Sequence, residues 1–250
     1  MNLEKYHGLG NDFLVLLDLD GLHPVDGAMA RRLCDRHTGV GADGLIRVTA
    51  GPTPYPYTME LYNADGGRAE MSGNGIRCLA LALVDSGLDV GPELAVNTDA
   101  GPRRVVIVHH DGPHRSTISV DMGVATVEPG PGHALLVDMG NPHAVLEVQD
   151  PYDADLGREF RRLGLDVNLE LVAPGPGPDE LTMRVWERGV GETLACGTGA
   201  CAAAVAAHKW GMVGTRVTVH QPGGAVRVDL TGPQIVLTGP AVWVCSVQVR

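Results

Sequence analysis

Short runs in which apolar residues alternate with polar ones, or follow one another unbroken, dominate this chain. Only four stretches carry the three-to-four spacing of a helix. Strands are predicted over residues 11–17, 45–48, 58–62, 94–97, 103–109 and 116–121, then over 134–138, 144–148, 167–172, 181–186, 216–220, 225–230 and 241–249. Helices are predicted over 28–37 behind an Asp26 cap, over 75–86, over 156–163 with a charged face, and over 198–210. Each half thus holds two helices among about six strands, an α+β pattern with each helix sheltered by its own sheet. The strings Glu128-Pro129-Gly130-Pro131-Gly132 and Ala173-Pro174-Gly175-Pro176-Gly177-Pro178 read as loops.

The pattern repeats. Ser72-Gly73-Asn74-Gly75 opens one helical run and Cys196-Gly197-Thr198-Gly199 opens another. Asn63-Ala64-Asp65-Gly66 precedes the first turn at the interval by which Glu187-Arg188-Gly189-Val190 precedes the second. Leu94-Ala95-Val96-Asn97 leads to Ala100-Gly101 and a strand, as Val217-Thr218-Val219-His220 leads to Gly223-Gly224 and a strand. Gly10-Asn11 and Gly140-Asn141 stand near the start of the two halves. Matched landmarks in one order imply two homologous halves.

Composition narrows the setting. With 250 residues, 44% of them apolar and 4% aromatic, the chain can bury a full core built from Val, Leu and Ala. A net charge of −11 makes nucleic acid or an anionic membrane an unsuitable partner. No apolar run approaches membrane-spanning length, and Met1-Asn2-Leu3-Glu4-Lys5 lacks the apolar stretch of a signal peptide. Five cysteines without a regular framework suit a reducing cytoplasm.

Two strings invite misreading. Gly39-Val40-Gly41-Ala42-Asp43-Gly44 matches the dinucleotide fingerprint, but a helix precedes it and a strand follows, the reverse of the order that brings phosphates to a helix N-terminus. No nucleotide cofactor is expected. His109-His110-Asp111-Gly112-Pro113-His114 reads as a polar hairpin tip, not a metal site, and no cysteine pair has zinc spacing.

The candidate chemistry lies at the two turns. A side chain at a helix start sits beside unpaired backbone N–H groups, which can hold an anion and make a thiol more acidic. Cys196 is placed for thiolate chemistry, and His143 could bias a nearby thiol's protonation or simply satisfy a turn. Glu187 and Arg188 could be a surface ion pair or clasp the ammonium and carboxylate of an amino acid. Asn11, Asn63, Asn74, Asn141 and Asn168 all stand in or beside turns, where asparagine is ordinary. Cys34, Cys78 and Cys201 are expected in the core.

Together these strings resemble diaminopimelate epimerase. The resemblance rests on His7-Gly8-Leu9-Gly10-Asn11-Asp12-Phe13, Asn63-Ala64-Asp65-Gly66, Gly73-Asn74-Gly75-Ile76-Arg77-Cys78, Gly140-Asn141-Pro142-His143, Glu187-Arg188-Gly189 and Ala195-Cys196-Gly197-Thr198-Gly199-Ala200, and it runs the length of the chain. It implies two pseudo-symmetric α+β domains, each a sheet wrapped around a central helix, with the active site in the cleft between them. Residues 1–115 plus 240–250 would form the N-terminal half and 116–239 the C-terminal half. The implied activity is cofactor-free interconversion of LL- and meso-diaminopimelate for lysine and cell-wall synthesis, by a soluble cytoplasmic enzyme that could pair as a homodimer. Cys196, Ser72, His143 and Glu187 would be catalytic. Asn11, Asn63, Gly73, Asn74, Asn141, Asn168, Glu187, Arg188, Gly197 and Thr198 would bind substrate.

Two positions depart from the family. It places cysteine at both proton-carrying turns, whereas the first here is Ser72, and Gly44 stands where many members carry a substrate-binding glutamine. An alkoxide is hard to form near neutral pH without a neighbouring base. A related racemase, a lyase resembling 3-hydroxyproline dehydratase, and a catalytically silent amino-acid-binding protein therefore stay open.

Overall fold

In a computed structural model describing residues 1–88 and 91–249, the chain divides into two compact units, Met1–Val120 with Gly239–Arg250 and Asp121–Thr238. The first unit contains β1 (Asn2–Gly8), β2 (Asn11–Leu17), α1 (Gly27–Cys34), β3 (Gly44–Ala50), β4 (Tyr57–Asn63), β5 (Arg68–Ala69), α2 (Gly73–Asp85), β6 (Glu93–Asn97), β7 (Arg103–Gly112) and β8 (Arg115–Asp121). Its strands lie in the order β1-β2-β3-β4-β6-β7-β8. The β2–β3 and β4–β6 pairs are parallel and the rest antiparallel. Each parallel step is bridged by a helix, because parallel strands need a crossover long enough to hold one.

The second unit repeats this plan with β9 (Thr126–Pro129), β10 (Leu135–Asp138), β11 (Pro142–Glu147), α3 (Leu156–Leu163), β12 (Asn168–Pro174), β13 (Glu180–Glu187), β14 (Gly191–Thr193), α4 (Gly197–Lys209), β15 (Arg216–Gln221) and β16 (Gly224–Asp229), and β17 (Val236–Gln248) runs out of it into the first. Here β11–β12 and β13–β15 are the parallel pairs, bridged by α3 and α4. Strand β17 begins beside β16 of this unit and ends antiparallel to β1 of the first.

In each unit the sheet wraps one apolar helix. Every residue of α2 from Gly73 to Leu83 is buried, and the helix packs on β1, β2, β3 and β7. The helix α4 packs on β10–β13, β15 and β16 with alanines at 202–204, 206 and 207 that are fully excluded from solvent. A helix enclosed on all sides needs an apolar perimeter, and the short alanine side chains let the strands approach closely.

Some elements depart from the pattern-based expectation. Strand β1 escapes it because Glu4, Lys5 and His7 interrupt its apolar run. Leu3 and Tyr6 are nonetheless buried, and a bulge between Lys5 and Tyr6 against β17 breaks the alternation. Glu4 accepts from Trp243 Nε1, and Lys5 pairs with Asp12, so the charges are satisfied. Strand β9 takes in Glu128 and Pro129, residues expected in a loop. Its Pro129 terminates the strand opposite Leu135, a position that asks no ladder donor of it. Helix α1 stops at Cys34, not 37. The Asp35 carboxylate accepts from the His37 and Thr38 N–H groups and turns the chain away.

That turn shows what the glycine string does here. Val40 and Gly41 donate to Leu33 O and Ala42 donates to Cys34 O, so the glycine loop closes the C-terminal end of α1. Gly39 is packed against the carbonyls of Arg32, Leu33 and Asp35, where a side chain would collide. The N–H groups of Gly39, Val40, Gly41 and Ala42 are thereby spent on carbonyls at the end of α1.

Candidate active site

Both repeat turns become helix N-caps. Ser72 (φ −140°, ψ 124°) accepts the Gly75 N–H on Oγ at 3.0 Å, and Cys196 (φ −125°, ψ 121°) accepts the Gly199 N–H on Sγ at 3.3 Å. The extended backbone at the cap turns each side chain back over the first helical turn.

In the first unit a chain of polar groups lies under the Ser72 helix. Arg77, fully buried, donates to Gly73 O at 2.9 Å and to Asn74 Oδ1 at 2.7 Å. Asn74 Nδ2 donates to Asn11 Oδ1 at 3.0 Å, and Asn11 Nδ2 donates to Asp43 Oδ2 at 2.8 Å. Arg36 closes the far end on Asp43 and Asp12, and Lys5 reaches Asp12 at 2.8 Å. Burial alone would raise the Asp12 carboxyl, but hydrogen bonds from Arg36 and Lys5 outweigh it and hold it below its ordinary value. Asn63 ends β4 opposite Gly44, its N–H bonded to Gly67 O. A Cβ at Gly44 would lie 2.9 Å from Tyr62 O and 3.1 Å from the Phe13 ring, so no larger residue fits this backbone.

The second unit gathers more of the chemistry. Cys196 is 6% exposed, and its N–H donates to Gln221 Oε1 at 2.8 Å. Its Sγ lies 3.4 Å from Thr198 Oγ1, which also receives Asn141 Nδ2 at 3.4 Å. Asn141 Oδ1 faces His143 Nε2 at 3.1 Å, and His143 Nδ1 sits 2.6 Å from Glu170 Oε1, with His143 and Glu170 both fully buried. The register places His143 opposite Asn168 across β11 and β12, while β13 ends in Glu187 one residue past Trp186, which faces Leu169. Asn168 Oδ1 accepts the Arg188 N–H at 2.8 Å, Glu187 accepts the Thr193 hydroxyl, and the Arg188 guanidinium reaches Asp166 at 3.3 Å. Gly197 is buried between cap and helix.

The expectation that the helix end acidifies this thiol is corrected. Burial pushes the Cys196 thiol well above its ordinary value, and the charges of Glu187 and Glu170 push it further. Hydrogen bonds from Thr198 and Gly199 pull the other way and are outweighed. Buried in this way, Cys196 is held as a thiol at neutral pH, poised to give a proton rather than take one. Cys34 and Cys78 are pushed up to about 12 by burial, as inert core thiols are.

Sequence reasoning missed Glu170, Gln221 and Asp43. Glu170 left a signal: a lone acid two positions after Asn168, inside the apolar run Leu169–Val172, must bury a charge on the face that Asn168 shares. Gln221 and Asp43 left none, being ordinary polar residues beside turns. The described residues hold no cluster of three or more metal-ligating side chains, and no helix among them is long and apolar enough to cross a membrane.

The family model "Diaminopimelate epimerase" matches residues 3–128 and 135–244. The diaminopimelate epimerase of Pelotomaculum thermopropionicum is 38% identical, with 98% of each chain covered. That of Mycobacterium tuberculosis is 40% identical over 98% of this chain and 95% of its own. Among solved structures, a Bacillus anthracis phenazine biosynthesis protein of the PhzF family is 16% identical with a TM-score of 0.78, covering 100% of this chain and 99% of its own. A hydroxyproline epimerase from Agrobacterium vitis, also 16% identical, has a TM-score of 0.68 and covers 100% and 90%. At that identity these two establish the shared fold alone.

Proposed function

The chain belongs to the diaminopimelate epimerase family, and we propose that Cys196 and Ser72 are the proton carriers with which it interconverts LL- and meso-diaminopimelate. It is an isomerase.

Inverting a stereocentre needs one group to remove a proton and another to deliver one to the opposite face, each close to the reacting carbon. The observation that carries this reading is the equivalence of the two helix caps, one a thiol and one a hydroxyl, at matching places in the repeat. The N-terminal peptide N–H groups of α2 and α4, around Gly73-Asn74 and Gly197-Thr198, supply a positive field for the substrate carboxylate and the developing carbanion. Asn11, Asn63, Asn141, Asn168, Glu187 and Arg188 hold the polar ends of the substrate. Glu187 and His143 set the charge felt by the thiol.

The two carriers are unequal. Cys196, held as a thiol, is the acid of one half-reaction, and becomes the base in the reverse direction only when substrate charge lowers its proton affinity. Ser72 is a weak base, so the proton transfer that requires it to accept limits turnover in both directions. The free cysteines suit a cytoplasmic enzyme, and a homodimer is our expectation from the family.

Incubation with LL- and meso-diaminopimelate in deuterated water tests the assignment. Deuterium at one α-carbon together with interconversion of the isomers is the expected result, with both lost in Cys196→Ala. Binding without exchange would mark an amino-acid-binding protein. Release of a keto or imino product from hydroxyproline would mark a lyase.

A further inference from the structure

Five side chains of the second unit form one continuous line of hydrogen-bonding atoms ending on the thiol. From Glu170 Oε1 the steps run to His143 Nδ1 at 2.6 Å, from His143 Nε2 to Asn141 Oδ1 at 3.1 Å, from Asn141 Nδ2 to Thr198 Oγ1 at 3.4 Å, and from Thr198 Oγ1 to Cys196 Sγ at 3.4 Å. We infer that Glu170 is a positioning residue for Cys196, acting through His143, Asn141 and Thr198 to aim the Thr198 hydroxyl hydrogen at the sulfur.

Glu170 is fully buried, and its Oε2 has no hydrogen-bond partner, so an ionised carboxylate there is costly unless a cation adjoins it. His143 adjoins it, also fully buried, and as an imidazolium it would supply the compensating charge. An imidazolium has donors only, so its Nε2–H must find an acceptor, and Asn141 presents Oδ1. That choice turns the amide nitrogen toward Thr198. A Thr198 oxygen that accepts from Asn141 is free to give its own hydrogen to Sγ. A Cβ on Gly199 would lie 2.5 Å from Glu170 Oε1, so the helix start is built to admit the carboxylate.

Without the Glu170 charge the order inverts. A neutral His143 keeps one proton on Nδ1 and offers Nε2 as an acceptor. Asn141 then rotates its amide to donate there, its oxygen claims the Thr198 hydroxyl, and the sulfur loses its donor.

The charged groups acting on the sulfur are Glu187 from β13 and Glu170 from β12, with His143 from β11 behind them. Gly199 and Gln221 contribute neutral N–H and amide groups. This separates two roles by sign. As a bare anion Glu170 disfavours the thiolate, and its removal would make Cys196 more acidic. As the head of the relay its removal makes Cys196 less acidic.

The experiment measures iodoacetamide alkylation of the Cys196 peptide by mass spectrometry across pH in the full-length protein. In E170Q the midpoint is expected to rise by roughly one unit, an approximately tenfold slowing at fixed pH, while E170D, which keeps the charge, stays near wild type. A fall in the midpoint, or no change, overturns the inference. Should E170Q fail to fold, T198V cuts the line while leaving both buried charges in place. A rise is expected there too, and an unchanged or lower midpoint is equally fatal. The inference takes Cys196 as a proton carrier from the proposed function, but alkylation needs no substrate, so the relay and the epimerase reading fail separately.

Discussion

At Ser72 the hydroxyl already fills the cap role, accepting the Gly75 N–H, so the change from thiol to hydroxyl costs the helix nothing and bears on chemistry alone. Ser72→Cys is therefore expected to raise epimerisation of diaminopimelate by roughly 10²-fold or more, the usual contribution of a competent acid–base group. Unaltered turnover in a stopped assay of both isomers would rule out the two-carrier mechanism. Asp12 governs a different property. Its folded-state carboxyl titrates below the ordinary 3.8 because Arg36 and Lys5 outweigh the effect of burial. The group thus adds stability above that ordinary value, and the contribution disappears as pH falls through the folded-state value. Asp12→Asn should be less stable than wild type at pH 7 yet lose less on acidification from about pH 5 to about pH 3. Urea midpoints at the three pH values check this, and parallel losses in both proteins would contradict it.

The element that matters most is the first turn of α4. Gly199 lies under Cys196 and against Glu170, and an added Cβ would meet Cys196 Cβ at 3.2 Å, its Sγ at 3.3 Å and Glu170 Oε1 at 2.5 Å. The carboxylate cannot swing aside, because it is buried and bonded to His143. Gly199→Ala should therefore destabilise by about 1–3 kcal/mol despite alanine's better helix propensity. It should also remove activity beyond what the folded fraction explains. A thermal melt equal to wild type would show that the turn has slack. At the matching Gly75 an added Cβ meets Ile46, Ser72 and Met59 side chains at 3.1–3.3 Å, contacts that can give, so Gly75→Ala is the milder substitution.

Across the whole molecule the last strand binds the chain's end to its beginning. Val249 O accepts from the N-terminal amine, Trp243 donates to Glu4, and Pro240 O accepts from the buried Arg77 guanidinium. Removing residues 239–250 strips β1 of one neighbour and leaves a fully buried cation short of an acceptor. Hydrogen exchange should then quicken in β1 and β2 while β11–β13 keep their protection, because Asp121–Thr238 has its own core. Uniform loss of protection would show that the two units unfold as one. The unbroken apolar run of β2, the alternating runs of β4, β7 and β13, the four helices and the paired glycine turns were legible in the amino acids because local periodicity and capping are short-range properties. The family motifs were legible for the same reason. What the chain order could not disclose was the meeting of residues far apart in it. The closing of α1 by the Gly39–Ala42 loop, the fit that leaves Gly44 no room for a side chain, and the line from Glu170 to Cys196 exist only once strands stand side by side. The thiol's proton affinity belongs there too. A helix start argues for acidity from local dipoles, but burial and two carboxylates delivered by neighbouring strands decide the sign, since desolvation and charge act through space and not along the chain.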